Sequence, residues 1–462
     1  HNGDVIAFVY FKNILYRVSI ILFVIMFVLQ IVMPFIVYFL APGFADNKEV
    51  ASQITTLTRI TIIFMPLISI VSLIGVATNV SGRFWVLAFT PVILNTSIII
   101  SCFLVNDYWI IKSLPLAVAT VLAGVMQVIF VTTMTIKLNI FKFNSSNKIA
   151  NQKKNNSFIK VKINETWRKF IPAAFGGGIL QINLLVDTIL ASLLGFGFVS
   201  YLYFADRIAQ LPLGIIGIAL GTTLLVSLSK SNANKDETQF SKELIISLKI
   251  GLYFSIPAAL VFINFSDLLI KVLFERGEFS LKHTVHTSHA LIAYAFGVPA
   301  FIILKTCQPA FLAEGNTKIP MYIGFVLLIL NIIFSLSLMI FLEHVGIALA
   351  TSIVSWIGTI IYIILLIKTG KIIKPKFSLK EEDLNLFTVF LYAFKIIFIS
   401  CLMIISMKLV RFIFEIYNID ETLVLIILCI LGFLMYILIS KMFNYIPQEL
   451  YNSISLKFKK EK

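Results

Sequence analysis

Charged side chains are scarce in this 462-residue sequence, since Asp, Glu, Lys and Arg make up only 13% of it against 59% hydrophobic residues. Soluble domains carry about 25% charged and 45–50% apolar residues, so the composition excludes a soluble globule. Twelve apolar runs have the roughly 20-residue length that a membrane-spanning helix needs. The sequence therefore predicts an all-α polytopic membrane protein. The predicted crossings are 13–40, 54–80, 86–105, 113–136, 168–194, 201–230, 244–265, 285–313, 319–342, 345–367, 384–411 and 421–440.

Several signatures of enzymes and metalloproteins are also missing. The four cysteines lie in apolar runs without CxxC spacing, which indicates neither disulfides nor a metal site. The sequence shows no pattern that pairs a catalytic nucleophile with a general base, so we do not expect an enzyme. No Gly-rich nucleotide loop is present, so we expect a gradient of Na⁺ or H⁺ rather than ATP to drive any transport, with no cofactor. His283, His286 and His289 are interpreted as solvated residues of an outer loop rather than metal ligands.

The net charge of +15 is concentrated in loops between the apolar runs. One alternating set of loops holds 24 Lys and Arg residues and the other set seven. Cytoplasmic loops carry the excess of positive charge, so the first set is predicted to face the cytoplasm. This assignment predicts a multi-pass protein of the bacterial inner membrane with both ends cytoplasmic and residues 266–284 periplasmic. The basic residues are thus read as topology signals, and no nucleic-acid partner is expected.

The two halves of the sequence resemble each other in the same order and at a similar offset. LPLAVAT at 114–120 matches VGIALAT at 345–351, and Pro66 corresponds to Pro299. Such a parallel repeat predicts two helical lobes around a central cavity. The second copy has two extra crossings before the match to 13–40, so we expect the parent protein to have fourteen. The predicted divisions are an N-terminal lobe (1–136), a basic linker (137–167), a C-terminal lobe (168–367), an extra helix pair (384–440) and a basic tail (441–462).

Several segments carry a family likeness, namely APGF (41–44), QINLLVDTILAS (181–192), the run SYLYFADRIAQLPLGIIGIALGTTLLVSLSK (200–230) and LFERGEF (273–279). They resemble the MurJ/MviN family of lipid II flippases, within the multidrug, oligosaccharidyl-lipid and polysaccharide exporter superfamily. The resemblance implies a flippase that moves undecaprenyl-pyrophosphate-linked peptidoglycan precursor to the outer leaflet by alternating access. Its implied partners are that precursor, membrane lipids and cell-wall synthesis proteins. Two alternatives stay open: a related exporter of drugs or other polyprenyl-linked oligosaccharides, and a non-transporting scaffold for cell-wall enzymes.

Candidate substrate contacts follow from the chemistry of that headgroup, whose pyrophosphate requires cations in a setting of low dielectric constant. Arg207 matches the arginine of the family's ADR motif, and Lys305 matches a family lysine. Arg59 is the third candidate, although its position near the outer end of its helix favours snorkelling over ligand contact. Ser200 and Asp206 are also candidates for the cavity wall, with interhelical hydrogen bonding as the alternative for Ser200.

A second candidate site surrounds Asp187, which helical rise places at the depth of Arg207 in a predicted antiparallel helix pair. The two side chains are close enough in depth to pair directly. Two carboxylates and one guanidinium leave surplus negative charge, which is costly in hydrocarbon without a compensating cation. Asn331 and Thr351 offer oxygen ligands of the type that hard cations prefer. We therefore expect Asp187, Asn331 and Thr351 to bind the coupling cation; the alternative is a buried structural salt bridge.

Overall fold

A computed structural model describes residues 2–44, 47–105, 109–138, 181–371, 386–417 and 419–447. These residues form helices and short turns, with no strand among them. Nine of their helices are long and apolar enough to cross a membrane, or ten when one bent pair is counted. The chain divides into two compact units, His1–Gly178 and Ile179–Lys462. The predicted linker 137–167 and tail 441–462 lie mostly outside the described residues.

The described residues of the N-terminal unit form six α-helices built on a small apolar core. Its core cluster consists of the buried residues Val71, Ile74, Val86 and Val131. Its helices are α1 (Asn2–Leu40), α2 (Lys48–Thr61), α3 (Phe64–Val80), α4 (Phe84–Ala88), α5 (Thr90–Cys102) and α6 (Leu114–Lys137).

The predicted crossing 54–80 differs from the structure because its outer part is a separate polar helix. Asn47 begins α2 by accepting a hydrogen bond from the backbone N–H of Val50 at 3.2 Å, the usual role of an N-cap asparagine. A turn at residues 62–63 separates α2 from α3. The sequence of α2 is rich in hydroxyl residues, and α2 and α3 together form one candidate span, Lys48–Val80.

The C-terminal unit is built around one long helix that most of the others contact. That helix, α10, packs against α8, α9, α11, α12, α14 and α15. The helices of the unit are α7 (Gln181–Leu193), α8 (Phe198–Pro212), α9 (Ile218–Ala233), α10 (Glu237–Phe274), α11 (Leu281–Ala295), α12 (Val298–Leu312), α13 (Lys318–Lys368), α14 (Leu386–Ile416) and α15 (Glu421–Met442).

Helix α13 combines the predicted crossings 319–342 and 345–367. Glu343 is its one non-helical residue, with φ 49° and ψ −133°. The Thr351 hydroxyl lies 3.4 Å from the Asn331 side-chain oxygen, whereas 20 residues of straight helix would separate the two by about 30 Å. The chain therefore folds back at Glu343 into two arms of spanning length.

The predicted crossing 201–230 is interrupted by a π-helical turn, Leu213–Gly217, directly after Pro212. A proline inside a helix removes one backbone hydrogen bond, and π turns are a common place for helices to bend. Four residues beyond this turn, Gly221 lets α9 approach α12, because a Cβ at this position would lie 3.2 Å from the Lys305 carbonyl oxygen. The π turn thus separates the part of the crossing that carries Asp206 and Arg207 from the part that packs on α12.

Candidate functional site

A buried polar cluster joins α7 to the two arms of α13. The side-chain amide of Asn331 donates a hydrogen bond to Asp187 Oδ1 at 2.9 Å, and the Thr351 hydroxyl lies 3.5 Å from Asp187 Oδ2. Asp187 is 9% exposed and Asn331 1%. The structure thus brings together the three residues that were predicted as a cation site.

The Thr351 hydroxyl has more acceptors around it than it can satisfy. Asp187 Oδ2, Asn331 Oδ1 and the Ile347 carbonyl oxygen all lie 3.3–3.5 Å away, but a hydroxyl group donates only one hydrogen. These distances are also at the long end for O–H···O hydrogen bonds. Oxygens of a carboxylate, an amide, a hydroxyl and a backbone carbonyl group therefore converge, and the Asn331–Asp187 contact at 2.9 Å is the short hydrogen bond among them. Such a set of oxygens suits a hard cation such as Na⁺. A proton on the Asp187 carboxylate would compensate its buried negative charge equally well.

Two further polar groups near the cluster were missed by the sequence analysis. Ser335 is fully buried, and its hydroxyl has no hydrogen-bond partner. It follows Asn331 by one helical turn and so lies on the same face of α13. Tyr294 of α11 is also buried, and α11 packs against α8 and α13. The four-residue spacing of Asn331 and Ser335 is the one signal that could have identified the serine.

Arg207 lies on a different face from the cluster and does not pair with Asp187 in the part of the chain that the structure describes. Its guanidinium carbon is 4.6 Å from the centroid of the Tyr203 ring, and the residue is exposed. The possible direct pairing with Asp187 is therefore wrong. Helical rise had placed the two residues at one depth, but it does not determine the direction in which a side chain points around its helix.

In the described part of the C-terminal unit, no hydrogen bond or ion pair joins Asp206, Ser200 or Lys305 to another of the three. Asp206 is half-buried and accepts a hydrogen bond from the Gln210 side chain. Ser200 is exposed, and Lys305 is half-buried in α12. Arg59 belongs to the N-terminal unit, where its Nε donates to the Gln30 carbonyl oxygen at 3.2 Å.

The histidines near the outer ends of the helices form an aromatic cluster. The ring of His286 stacks on Tyr201 with a centroid distance of 5.2 Å, and His283 lies 5.7 Å from the same ring. His344 Nε2 is 2.9 Å from the His286 carbonyl oxygen. The interpretation as solvated loop residues is thus wrong for His283 and His286, because α11 already begins at Leu281 and turns them toward α8. Within the described ranges, no group of three or more His, Cys, Asp or Glu residues could hold a metal ion.

Comparisons with known proteins identify relatives of the chain. A family model described as "Lipid II flippase MurJ" matches residues 7–418. A "Probable lipid II flippase MurJ" of Rickettsia prowazekii is 33% identical over 338 residues, which cover 73% of this chain and 64% of the relative. The relative of the same description from Buchnera aphidicola subsp. Acyrthosiphon pisum is 30% identical over 385 residues, which cover 83% and 71%. The chain thus spans slightly less than two thirds of the length of the Rickettsia relative.

Solved structures support the same fold. A structure described as "Lipid II flippase MurJ, inward closed conformation" matches with a TM-score of 0.71 and 24% identity, covering 94% of this chain and 83% of that one. An inward-facing multidrug resistance MATE family transporter of the MOP superfamily matches with a TM-score of 0.62 and 12% identity, covering 76% and 79%. Such low identities establish the fold alone. The family match and the two relatives show that this multi-pass membrane protein belongs to the MurJ lipid II flippase family.

Proposed function

We propose that the protein is a flippase that moves undecaprenyl-pyrophosphate-linked peptidoglycan precursor, lipid II, from the inner to the outer leaflet of the bacterial cytoplasmic membrane. The observation that carries this proposal is the family match over residues 7–418. Transport occurs by alternating access, with both chain ends in the cytoplasm. The proposed partners are the precursor, the surrounding lipids and cell-wall synthesis proteins.

Arg207 contacts the substrate in this proposal. Its guanidinium group is exposed and has no carboxylate bonded to it among the described residues. A planar guanidinium can hold two phosphate oxygens at once, which suits a pyrophosphate better than an ammonium group does. The contact with the Tyr203 ring holds the guanidinium in place without neutralising its charge. Lys305, Arg59, Ser200 and Asp206 remain candidate contacts.

Asp187, Asn331 and Thr351 would hold the coupling cation, Na⁺ or H⁺. Their oxygens come from α7 and from both arms of α13, so a change of charge at Asp187 acts on three crossings of one unit. A carboxylate buried without a bonded cation costs several kcal/mol in a medium of low dielectric constant. Supplying or withdrawing a positive charge there therefore changes how firmly the two arms of α13 are held to α7.

Depletion of the protein in its own organism tests the proposed substrate. We expect lipid II to accumulate in the inner leaflet, where an enzyme added outside the cells cannot reach it. Accumulation of another polyprenyl-linked oligosaccharide, with lipid II normally translocated, would instead indicate the related exporter. A scaffold would leave translocation intact when Arg207 is changed to Gln at the chromosomal locus.

A further inference from the structure

A cavity of about 370 Å³ lies wholly within the N-terminal unit, between the end of α1 and α2. One wall is polar, because Lys48, Ser52, Thr56 and Arg59 recur at intervals of three or four residues and so share a face of α2. The opposite wall comes from α1 and the turn that follows it, and it includes Tyr38. This outer pocket, lined by Pro34, Val37, Tyr38, Phe44, Lys48 and Arg59 among others, thus combines an apolar side with a cationic one.

The two cations of the outer pocket are available for a ligand. Lys48 is exposed and has no ion-pair partner among the described residues. The Nε of Arg59 donates to the Gln30 carbonyl oxygen at 3.2 Å, and the Gln30 side chain donates back to the Arg59 carbonyl oxygen at 2.6 Å. These bonds hold the base of the guanidinium against α1 and leave Nη1 and Nη2 without a partner in the described part of the chain.

No acidic side chain lines the pocket among the described residues. The carboxylate in the first turn of α2, Glu49, is instead bonded to the Gln53 side chain at 3.4 Å. Among the described residues that line it, the pocket therefore carries two positive charges and no negative one. An anion is the ligand that such a pocket attracts, and an arginine fork selects phosphate or carboxylate oxygens.

The depth of Arg59 indicates which anion is within reach. Arg59 lies 21 residues before Val80, the inner end of α3, and a helical rise of 1.5 Å per residue makes this about 31 Å. The hydrocarbon core is about 30 Å thick, so Arg59 lies at the level of the outer phosphate groups when the crossing has its predicted orientation. The neighbouring surface of α1 is apolar and open to acyl chains, since Phe35 is 76% and Phe39 72% exposed.

We propose that the outer pocket binds the phosphate group of a lipid in the outer leaflet through the side chains of Arg59 and Lys48. That phosphate belongs either to an anionic phospholipid of the bilayer or to a polyprenyl pyrophosphate. The first source is independent of the proposed function, whereas the second rests on it. In each case Arg59 holds the phosphate oxygens, Lys48 adds charge at the pocket mouth and the lipid chain runs along α1.

The test is lipid binding to the delipidated protein in detergent, counted by native mass spectrometry. Phosphatidylglycerol and undecaprenyl pyrophosphate are titrated separately against the native protein, Arg59→Gln, Lys48→Gln and the double variant. We expect the double variant to bind at least one of the two lipids about tenfold to 100-fold more weakly, which corresponds to losing one or two charged hydrogen bonds. Arg59→Lys should restore part of the loss.

The matched control is Arg83→Gln, because Arg83 is an exposed arginine of the same unit at the inner end of the next helix. Its binding should stay within about twofold of the native protein. Lys48→Gln is the variant that should disturb folding least, because the Lys48 side chain has no hydrogen-bond or ion-pair partner among the described residues. Loss of phosphatidylglycerol binding alone assigns a resident phospholipid, and loss of pyrophosphate binding alone assigns a polyprenyl lipid. Unchanged binding of both lipids by the double variant, or an equal loss in Arg83→Gln, overturns the site.

Discussion

The side-chain amide of Asn331 donates a hydrogen bond to the carboxylate of Asp187 at 2.9 Å, across 144 positions of sequence and between two membrane helices. The Thr351 hydroxyl completes the cluster from the returning arm of α13. This arrangement permits a cation-coupling role and a structural role, which differ in one measurable respect. Only a coupling role makes the transport rate of the protein depend on the ion through Asp187.

Replacing Asp187 with Asn should therefore remove the ion dependence of transport. The substitution keeps the size of the side chain and removes its charge, so the affinity for a cation should fall by at least about tenfold. The measurement is lipid II translocation at varied Na⁺ concentration and pH. Asp236→Asn is the control, because it removes an exposed carboxylate that caps α10 and asparagine caps helices equally well.

Unchanged translocation with the same Na⁺ and pH dependence in Asp187→Asn would remove the coupling role. A purely structural cluster would give a different pattern, in which stability and rate fall together while the ion dependence of the remaining activity stays that of the native protein.

Gly346 should tolerate no side chain, because a Cβ there would lie 2.4 Å from the Leu338 carbonyl oxygen across the fold of α13. We expect Gly346→Ala to destabilise the protein by about 1–3 kcal/mol through overpacking. Gly324 of the same helix has nothing within 4 Å of such a Cβ, so Gly324→Ala should be neutral or stabilising by up to about 1 kcal/mol. Thermal unfolding in detergent measures both. Equal melting temperatures would contradict the close approach of the two arms.

Side-chain packing rather than ion pairing should hold α14 against α10. Ile399 is fully buried in the core that the two helices share, and Ile399→Ala should cost about 2–5 kcal/mol. Arg411 Nη2 and Asp267 Oδ2 are 2.7 Å apart, but the Asp267 side chain is 57% exposed. Asp267→Asn should therefore cost about 1 kcal/mol or less. A larger loss of thermal stability for Asp267→Asn than for Ile399→Ala would contradict this ranking.

Hydrophobic runs were enough to predict an all-helical membrane protein and the residues of the polar cluster, whereas the count of twelve crossings stays a prediction beside the nine or ten candidate spans of the described residues. The apolar lengths placed the crossings, and the fold at residues 343–344 was visible as a break between two such runs. Asp187, Asn331 and Thr351 were predictable as a group because each is a polar residue inside a crossing of one predicted lobe. A carboxylate in hydrocarbon is costly unless polar groups surround it, so neighbouring amide and hydroxyl side chains are expected beside it.

The direction in which a side chain points around its helix axis could not be predicted in the same way. Arg207 points toward the Tyr203 ring rather than toward Asp187, and the depth of a residue carries no information about that direction. The burial of the Ser335 hydroxyl also depends on this direction, and its four-residue spacing from Asn331 was the one signal of it in the sequence. Only the second part of α2, residues 54–61, lies within the predicted crossing 54–80, because the polar residues at the start of α2 lower its hydropathy. The threonine hydroxyls of α2 bond to the backbone of their own helix.

The predicted topology can be tested with single cysteines at Lys235 and Glu278, which are both exposed. The four native cysteines are first replaced by alanine. The cysteine at 278 should react with a membrane-impermeant maleimide added to intact cells, and the cysteine at 235 should react only after the cells are lysed. The reverse labelling pattern would show that the protein has the opposite orientation in the membrane and that the outer pocket lies on the cytoplasmic side.

Arg207 offers the most direct test of substrate contact, because its guanidinium is exposed and has no carboxylate bonded to it in the described residues. Arg207→Gln should reduce lipid II translocation by about tenfold to 100-fold, the loss expected for one or two charged hydrogen bonds to phosphate. Arg207→Lys keeps the charge but loses the planar fork, so its activity should be intermediate. Lys230→Gln is the control, since Lys230 is an exposed cation at the far end of α9. The reduction should appear as weaker substrate binding with normal melting temperature. Full translocation by Arg207→Gln would remove Arg207 from the substrate path and favour the non-transporting scaffold.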